Sequence, residues 1–520
     1  MIENFFFTIF ARLQCYKLTT SMNSFFKYLL PVITIMVGLS VSSLYAQPRD
    51  KVLVCGFPAQ DISEWRKEYQ ANKNQYISLR SNNDLLTLPL VIHIIGDSNG
   101  DGYYELNDLM VTLCVLNESF ADLNVQFIID DIRYHNNTNW YNHETQSVGF
   151  QMAQSTGVSN RINIWIANAA AGALGYAQLG SNRIWVAKSA IRGRNSSTLT
   201  HEMGHALDML HTFNGWESTT YEEGNQAPAF VSGIPVERVD RTNCSIAGDR
   251  ICDTESDFLG FRWPCNSDGL SSIIQIDPRG VEFQSEGDNY MSYSSDVCTS
   301  TFSEEQKDIM RSHILSVKNN MLVTSSNIPD PAFEPITEIF PVDNGEAHFE
   351  NVRLSWRASE NAHSYRVQLS RFSSFAIRLI DEVVTDTSFV FNGELDEGRT
   401  YFWQVSPISD TDFCAESSGV LRFRAVSSTA TIELEGNHFS IAPSLLTASN
   451  ELFLSSRLSR SMLTDFRVIN IQGKTVWSQK HQLHTGTDRI RLGLPQLPAG
   501  MYFLNLSNEA GQYSFKFVKQ

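Results

Sequence analysis

Two histidines four residues apart, His201 and His205, followed by a third at His211, constrain this chain more than any other feature. Side chains at i and i+4 stand on one face of a helix, so the first two imidazoles reach a single metal ion together. His211 comes six residues after His205 and cannot share that face. The helix must therefore stop near Asp208 and the chain must turn back to deliver the third ligand. After glycine, Asp and Asn best tolerate the left-handed conformation that such a stop requires. Three imidazoles leave one position of a tetrahedral zinc open, which is the pattern of a catalytic site. Glu202, beside the first ligand, is placed to take a proton from an attacking water. The competing reading, a surface helix with solvated His and Glu, does not explain a third histidine at this spacing.

A second signal lies some eighty residues downstream. Asn289-Tyr290-Met291-Ser292-Tyr293 sits in a polar, turn-rich stretch, and Ser303 with Gln306 reads as a capping box opening a helix through Ile309, Met310, Ile314 and Val317. A methionine in a tight turn combined with the long zinc motif resembles the metzincin peptidases, and the details resemble the pappalysin family. The residues carrying that likeness are His211-Thr212-Phe213, Gly248-Asp249 with Asp253-Thr254, and Asn289–Tyr293 followed by Asp296 and Cys298. Leu88–His93 and Leu174-Gly175-Tyr176-Ala177 look like that family's early strand and rim segment. The likeness spans about residues 84–325.

The resemblance implies a zinc endopeptidase acting on protein or peptide substrates. Met291 would underlie the metal site, and the Tyr293 phenol would stabilise the oxyanion of the tetrahedral intermediate. The rim around Gly175 and Tyr176 would pair with an extended substrate. Calcium is expected at the loop carrying Asp249 and Thr254, where oxygen ligands in an irregular segment suit that ion. Asp296 would favour Arg or Lys on the C-terminal side of the cut bond. The family normally has glycine where this chain has Asp208. An earlier stretch, Asp97–Asp108, also has the spacing of a calcium loop, and a polar turn between strand and helix explains it equally well.

A net charge of −17 argues against nucleic acid or a polybasic membrane contact. Residues 1–46 read as a signal peptide region with its start at Met22: Lys27 supplies the positive end, Tyr28 to Tyr45 is apolar, and Ala46-Gln47 is the cleavage point. The rival is an uncleaved anchor; no other segment is long and apolar enough to span a bilayer. Cys244, Cys252, Cys265 and Cys298 cluster between the zinc helix and the end of the methionine turn and predict two disulfides, with three connectivities open. Of the rest, Cys114 falls at helical spacing among Leu109, Leu113, Leu116 and Phe120 and reads as a small buried hydrophobe. Residues 47–83 form a candidate propeptide. Cys55 within it is read as incidental to a plain extension, the alternative being that its thiolate closes the metal's open position.

The fold class expected is multi-domain: an α+β metzincin catalytic domain over 84–326, followed by two all-β sandwich domains. Alternating strands with Trp356, Tyr401 and Trp403 resemble a fibronectin type III module over 334–427. Residues 434–520, with Leu497-Pro498-Ala499-Gly500-Met501-Tyr502 and the closing Phe515–Gln520, resemble the C-terminal sorting domain read by the type IX secretion machinery. That predicts a secreted or surface-attached protein with no stable membrane span. The alternative to an enzyme is a catalytically inactive surface adhesin on the same scaffold, which intact Glu202 argues against.

Overall fold

The computed structural model describes residues 53–80, 84–323, 333–337 and 339–426, and from 432 onward all but 435–436, 443, 447–450, 459 and 509–510. The signal region read at 1–46 lies outside the described residues.

Two short helices open the folded chain, α1 (Glu64–Ala71) and α2 (Lys73–Arg80). Ser63 caps α1 by accepting from the Arg66 amide. The catalytic sheet follows. Five of its six strands are β1 (Leu86–Gly96), β2 (Val125–Asn136), β3 (Ile162–Ala167), β4 (Ala173–Ala177) and β5 (Arg183–Ala187). They run in the spatial order β4-β5-β3-β1-β2, all parallel except β4, which is antiparallel to β5. β1 is buried along its whole length, because a parallel strand covered on both faces reads as a continuous apolar run. Helix α3 (Leu106–Phe120) packs Leu109, Leu113, Leu116 and Phe120 into the core on one side.

The zinc-motif helix α4 (Thr198–Ala206) is buried at every residue. It ends as the spacing predicts. Asp208 has φ 76°, its amide bonds the His205 carbonyl, and the Met209 amide reaches back to the Gly204 carbonyl. This is a Schellman stop with Asp in the position usually held by glycine. Helix α5 (Glu304–Val317) carries the Ser303–Gln306 capping box and buries Ile309, Met310 and Ile314.

Beyond the catalytic part the chain is all β, and it is a multi-domain protein. One unit pairs a five-stranded sheet with the two-stranded ribbon of Glu350–Ser355 and Ser388–Glu394, closing over Trp356, Tyr365, Tyr401 and Trp403. The last unit has sheets of four and five strands around Leu454, Phe466, Leu504 and Phe517.

Cys114 is not a lone buried hydrophobe. It is disulfide-bonded to Cys414, 300 residues away. The loop carrying Cys414 lies against the edge of the catalytic sheet: the Ile129 amide donates to the Asp410 carbonyl at 2.8 Å and Gln126 donates to the Thr411 carbonyl at 2.7 Å. Ile408 and Phe413 are buried in the same apolar cluster as the catalytic core. Helical spacing detected that Cys114 faces inward but could not see its partner. The other pairs are Cys244–Cys252 and Cys265–Cys298, leaving Cys55 free among the described residues.

Candidate metal centre

The helix and its left-handed stop bring three imidazoles to one point. His205 Nε2 lies 3.2 Å from His201 Nε2 and 3.1 Å from His211 Nε2. Zinc with ligand bonds of about 2.0–2.1 Å in tetrahedral geometry requires nitrogens about 3.3 Å apart. The donor set therefore fits that ion. Each ring turns its other nitrogen outward to a fixed acceptor: His201 to the Tyr290 carbonyl at 2.7 Å, His205 to the Met209 carbonyl at 2.7 Å, and His211 to the Glu217 carboxylate at 2.9 Å. Burial holds His201 and His205 neutral, with His201 pushed down to about 3, foremost by desolvation and then by His211. Neutral imidazole is the form that ligates.

Met291 is fully buried beneath the helix. A Cβ built on Gly204 would lie 2.4 Å from its sulfur, so the helix approaches the methionine turn only because residue 204 has no side chain. The Thr212 amide donates to the Met291 carbonyl at 3.3 Å. Buried Asp257 ties the same two segments, accepting from Thr212 Oγ1 at 2.8 Å and Ser292 Oγ at 3.0 Å.

Glu202 is fully buried and its carboxyl is pushed up to about 8 by desolvation. Gly175 of β4 faces it, where a Cβ would come within 2.9 Å of the Glu202 side chain. Tyr176, one residue on, turns its phenol away to His143 Nε2 at 2.7 Å, so β4 offers the site its backbone and not this side chain.

The position opposite the three imidazoles is taken. Cys55 Sγ stands 3.6 Å from His205 Nε2, and the four ligand atoms lie within 4.8 Å of one another. A thiolate at about 2.3 Å from zinc places its sulfur about 3.6 Å from a ligand nitrogen. Cys55 is thus not incidental. Nothing in its spacing connects it to residues some 150 positions later; the fold does. Its amide donates to the Tyr293 hydroxyl at 3.1 Å, and that hydroxyl donates to its carbonyl at 3.2 Å. Phe57 stacks on His205 with ring centroids 4.1 Å apart. The Gly56 amide donates to the Gly175 carbonyl at 2.9 Å, so the segment lies along β4 as an extended strand would.

Asp296 is 28% exposed at its side chain and already partnered: Oδ1 accepts from the Ser197 hydroxyl at 2.6 Å and Oδ2 pairs with Arg262 at 2.7 Å. Asp249 and Thr254 come together, Thr254 Oγ1 donating to Asp249 Oδ2 at 3.2 Å. Beside them is a residue that sequence reasoning missed. Glu237 is 3% exposed and neither of its carboxylate oxygens has a hydrogen-bond partner. A Cβ on Gly248 would lie 3.1 Å from Glu237 Oε2, which places the two carboxylates on one short loop contact. Desolvation first, and then the charge of Asp249, push Glu237 upward, while desolvation foremost pushes up Asp249. A buried acid with two orphaned oxygens beside a second buried carboxylate fits a hard cation. Glu217 and Phe57 were missed as well. No motif spacing marks them, and only an acidic residue soon after the third histidine hinted at the former.

Comparison with known proteins agrees with this geometry. Residues 133–315 match the peptidase family described as pregnancy-associated plasma protein-A, and residues 448–520 match the secretion system C-terminal sorting domain. An extracellular metalloprotease of Colletotrichum graminicola is 24% identical over 282 residues, 50% of this chain and 89% of that protein. Those of Podospora anserina and Pyricularia oryzae are 23% and 24% identical, each aligned over 54% of this chain and covering 96% and 94% of their own lengths. The solution structure of the fn3 domain of the human collagen alpha-1(XX) chain aligns with 21% of this chain at 21% identity, but its TM-score of 0.15 carries no weight for the fold.

Proposed function

We propose, for a chain that is a secreted metalloendopeptidase with a catalytic domain of the pregnancy-associated plasma protein-A family, that it is made latent and cuts peptides before basic residues once Cys55 is displaced. The observation that carries this is the cluster of His201, His205, His211 and Cys55. Three imidazoles would hold zinc, and the thiol would occupy the position a water needs. Zinc bound there supplies a Lewis acid that polarises the scissile carbonyl and acidifies the attacking water.

The chain's own groups do the rest. Glu202, buried beside the first ligand and facing Gly175, takes the water proton and hands it to the leaving amine. Tyr293, freed from the Cys55 backbone, turns its hydroxyl donor to the developing oxyanion. The backbone of β4, whose Gly175 carbonyl now accepts from Gly56, would accept from a substrate amide instead. A basic side chain beyond the cut bond would replace Arg262 as the partner of Asp296. Glu237, Asp249 and Thr254 would hold calcium, fixing the loop that follows the zinc motif. The sorting domain and the extracellular relatives agree with export to the cell surface or medium, and no helix among the described residues is long and apolar enough to cross a membrane.

The test is peptide-library cleavage, mapped by mass spectrometry, with the exported chain before and after limited proteolysis, beside Glu202→Gln. Cuts that precede Arg or Lys, appear only after proteolysis and fall at least ~10²-fold in the variant are expected. Cuts in the variant at parental rate would refute the role of Glu202. An inactive surface adhesin is disfavoured by the intact metal ligands and Glu202.

A further inference from the structure

The three ligand imidazoles are not supported alike. His201 and His205 hand their outer nitrogens to neutral backbone carbonyls, Tyr290 and Met209. His211 alone hands its Nδ1 to a carboxylate, Oε1 of Glu217. That carboxylate is almost fully buried, at 6% side-chain exposure, and its ion-pair partner among the described residues is His211. Its second oxygen accepts from the Gly215 amide at 2.8 Å, so both oxygens are fixed by the same tight loop. Gly215 has φ 108°, and Trp216 anchors the loop by stacking on Phe258 at 5.1 Å.

His211 is also the ligand with the least help from regular structure. His201 and His205 ride on α4, whereas His211 follows the left-handed stop at Asp208. A ring on an irregular segment needs its orientation set from outside. A buried carboxylate without a Lys or Arg partner is costly unless positive charge sits nearby, and here that charge would come through the imidazole from the metal.

We infer that Glu217 is a positioning residue for the metal: it fixes His211 with Nδ1 protonated, aims Nε2 at the zinc, and strengthens that ligand by adding negative charge behind it. A carbonyl can fix the tautomer but adds no charge. This rests on the reading of the histidine cluster as a zinc site.

The test compares the full exported chain carrying Cys55→Ser, so that the thiol does not mask the effect, with the same chain carrying Glu217→Gln or Glu217→Ala. Zinc content is measured first, then the rate of zinc release to excess chelator, and separately the thermal unfolding of the metal-free proteins. Glu217→Gln keeps the shape and one acceptor oxygen, which can stay on the Gly215 amide, and removes the charge behind His211. It should release zinc about 10-fold faster with metal-free stability unchanged, and Glu217→Ala up to about 100-fold faster. Release from Glu217→Gln at the parental rate would overturn the inference, as would a loss of zinc matched by an equal loss of metal-free stability. A parent that binds no stoichiometric zinc would instead overturn the metal-site reading and this inference with it.

Discussion

Arg66 and Asp208 make the sharpest test of how the opening helices are held. Arg66 is 1% exposed, donates to the Asp208 main-chain carbonyl at 3.2 Å, and has Asp208, Asp249 and Glu305 as its charged surroundings. Arg66→Met leaves these acids facing a thioether. Removing one member of a buried ionic group costs about 3–5 kcal/mol. Asp208→Gly should behave quite differently. It loses the bond from Ser63 Oγ, 2.9 Å long and worth about 1 kcal/mol, but relieves a left-handed backbone at φ 76°, worth about 1–2 kcal/mol. Arg66 still keeps Asp249 and Glu305, so the net change lies within about 1 kcal/mol of zero. Hydrogen–deuterium exchange of peptides from Glu64–Arg80 in the full chain reads both. A loss of ~3 kcal/mol lowers protection about 150-fold, while Asp208→Gly should change it less than about 5-fold. The double variant should lose less than Arg66→Met alone, because the stranded carboxylate is gone. Equal losses in the two single variants, or strictly additive losses in the double, would refute this account of the helix anchor.

Cys55→Ser should make the intact exported chain cleave a peptide without prior proteolysis, with a rate ~10²-fold or more above the parent, since a tethered ligand acts at high effective concentration; an intact variant as silent as the parent would leave the blocked site to Phe57 and the pairing with Gly175. Asp296→Asn should cut the preference for Arg or Lys after the scissile bond about 10-fold in kcat/KM, and Arg262→Ala should raise kcat/KM for basic substrates by removing the internal competitor; unchanged ratios in both would remove Asp296 from specificity. Calcium should stabilise the protein more as pH rises. Asp249, pushed up to about 7, and Glu237, also pushed up, have folded values above their unfolded ones. In chelator their contribution is therefore complete in acid and is lost as pH climbs through those values. Melting temperatures with and without calcium should diverge from pH 5 to pH 8, and a gap that narrows instead would overturn the site.

The zinc motif was legible because its geometry is local. The i, i+4 spacing and the need for a turn at Asp208 follow from helix periodicity alone, as does the Ser303–Gln306 box. Disulfide bonding among Cys244, Cys252, Cys265 and Cys298 was legible as a set, but its connectivity waited on the fold. Cys55, Glu217, Glu237 and Arg66 were not read as site residues for one physical reason. They act from irregular segments or across long separations, where neither a 3.6 nor a 2 residue period marks which side chains meet. Cys114 was misread by the same limit: the inward face was visible and the partner was not.

The Cys114–Cys414 bond and the docking of Asp410 on Ile129 invert the order in which this protein is made and finished. At about 5–20 residues per second, a ribosome needs roughly 15–60 s to span the 300 residues between the two cysteines. Through that interval β2 has a bare edge and the cluster beneath it lacks Ile408 and Phe413. The disulfide itself must wait for an oxidising compartment. The peptidase domain therefore emerges early but is closed late, by a piece of its C-terminal neighbour. Any truncation ahead of residue 408 yields a catalytic domain that is complete in motif and open along one side.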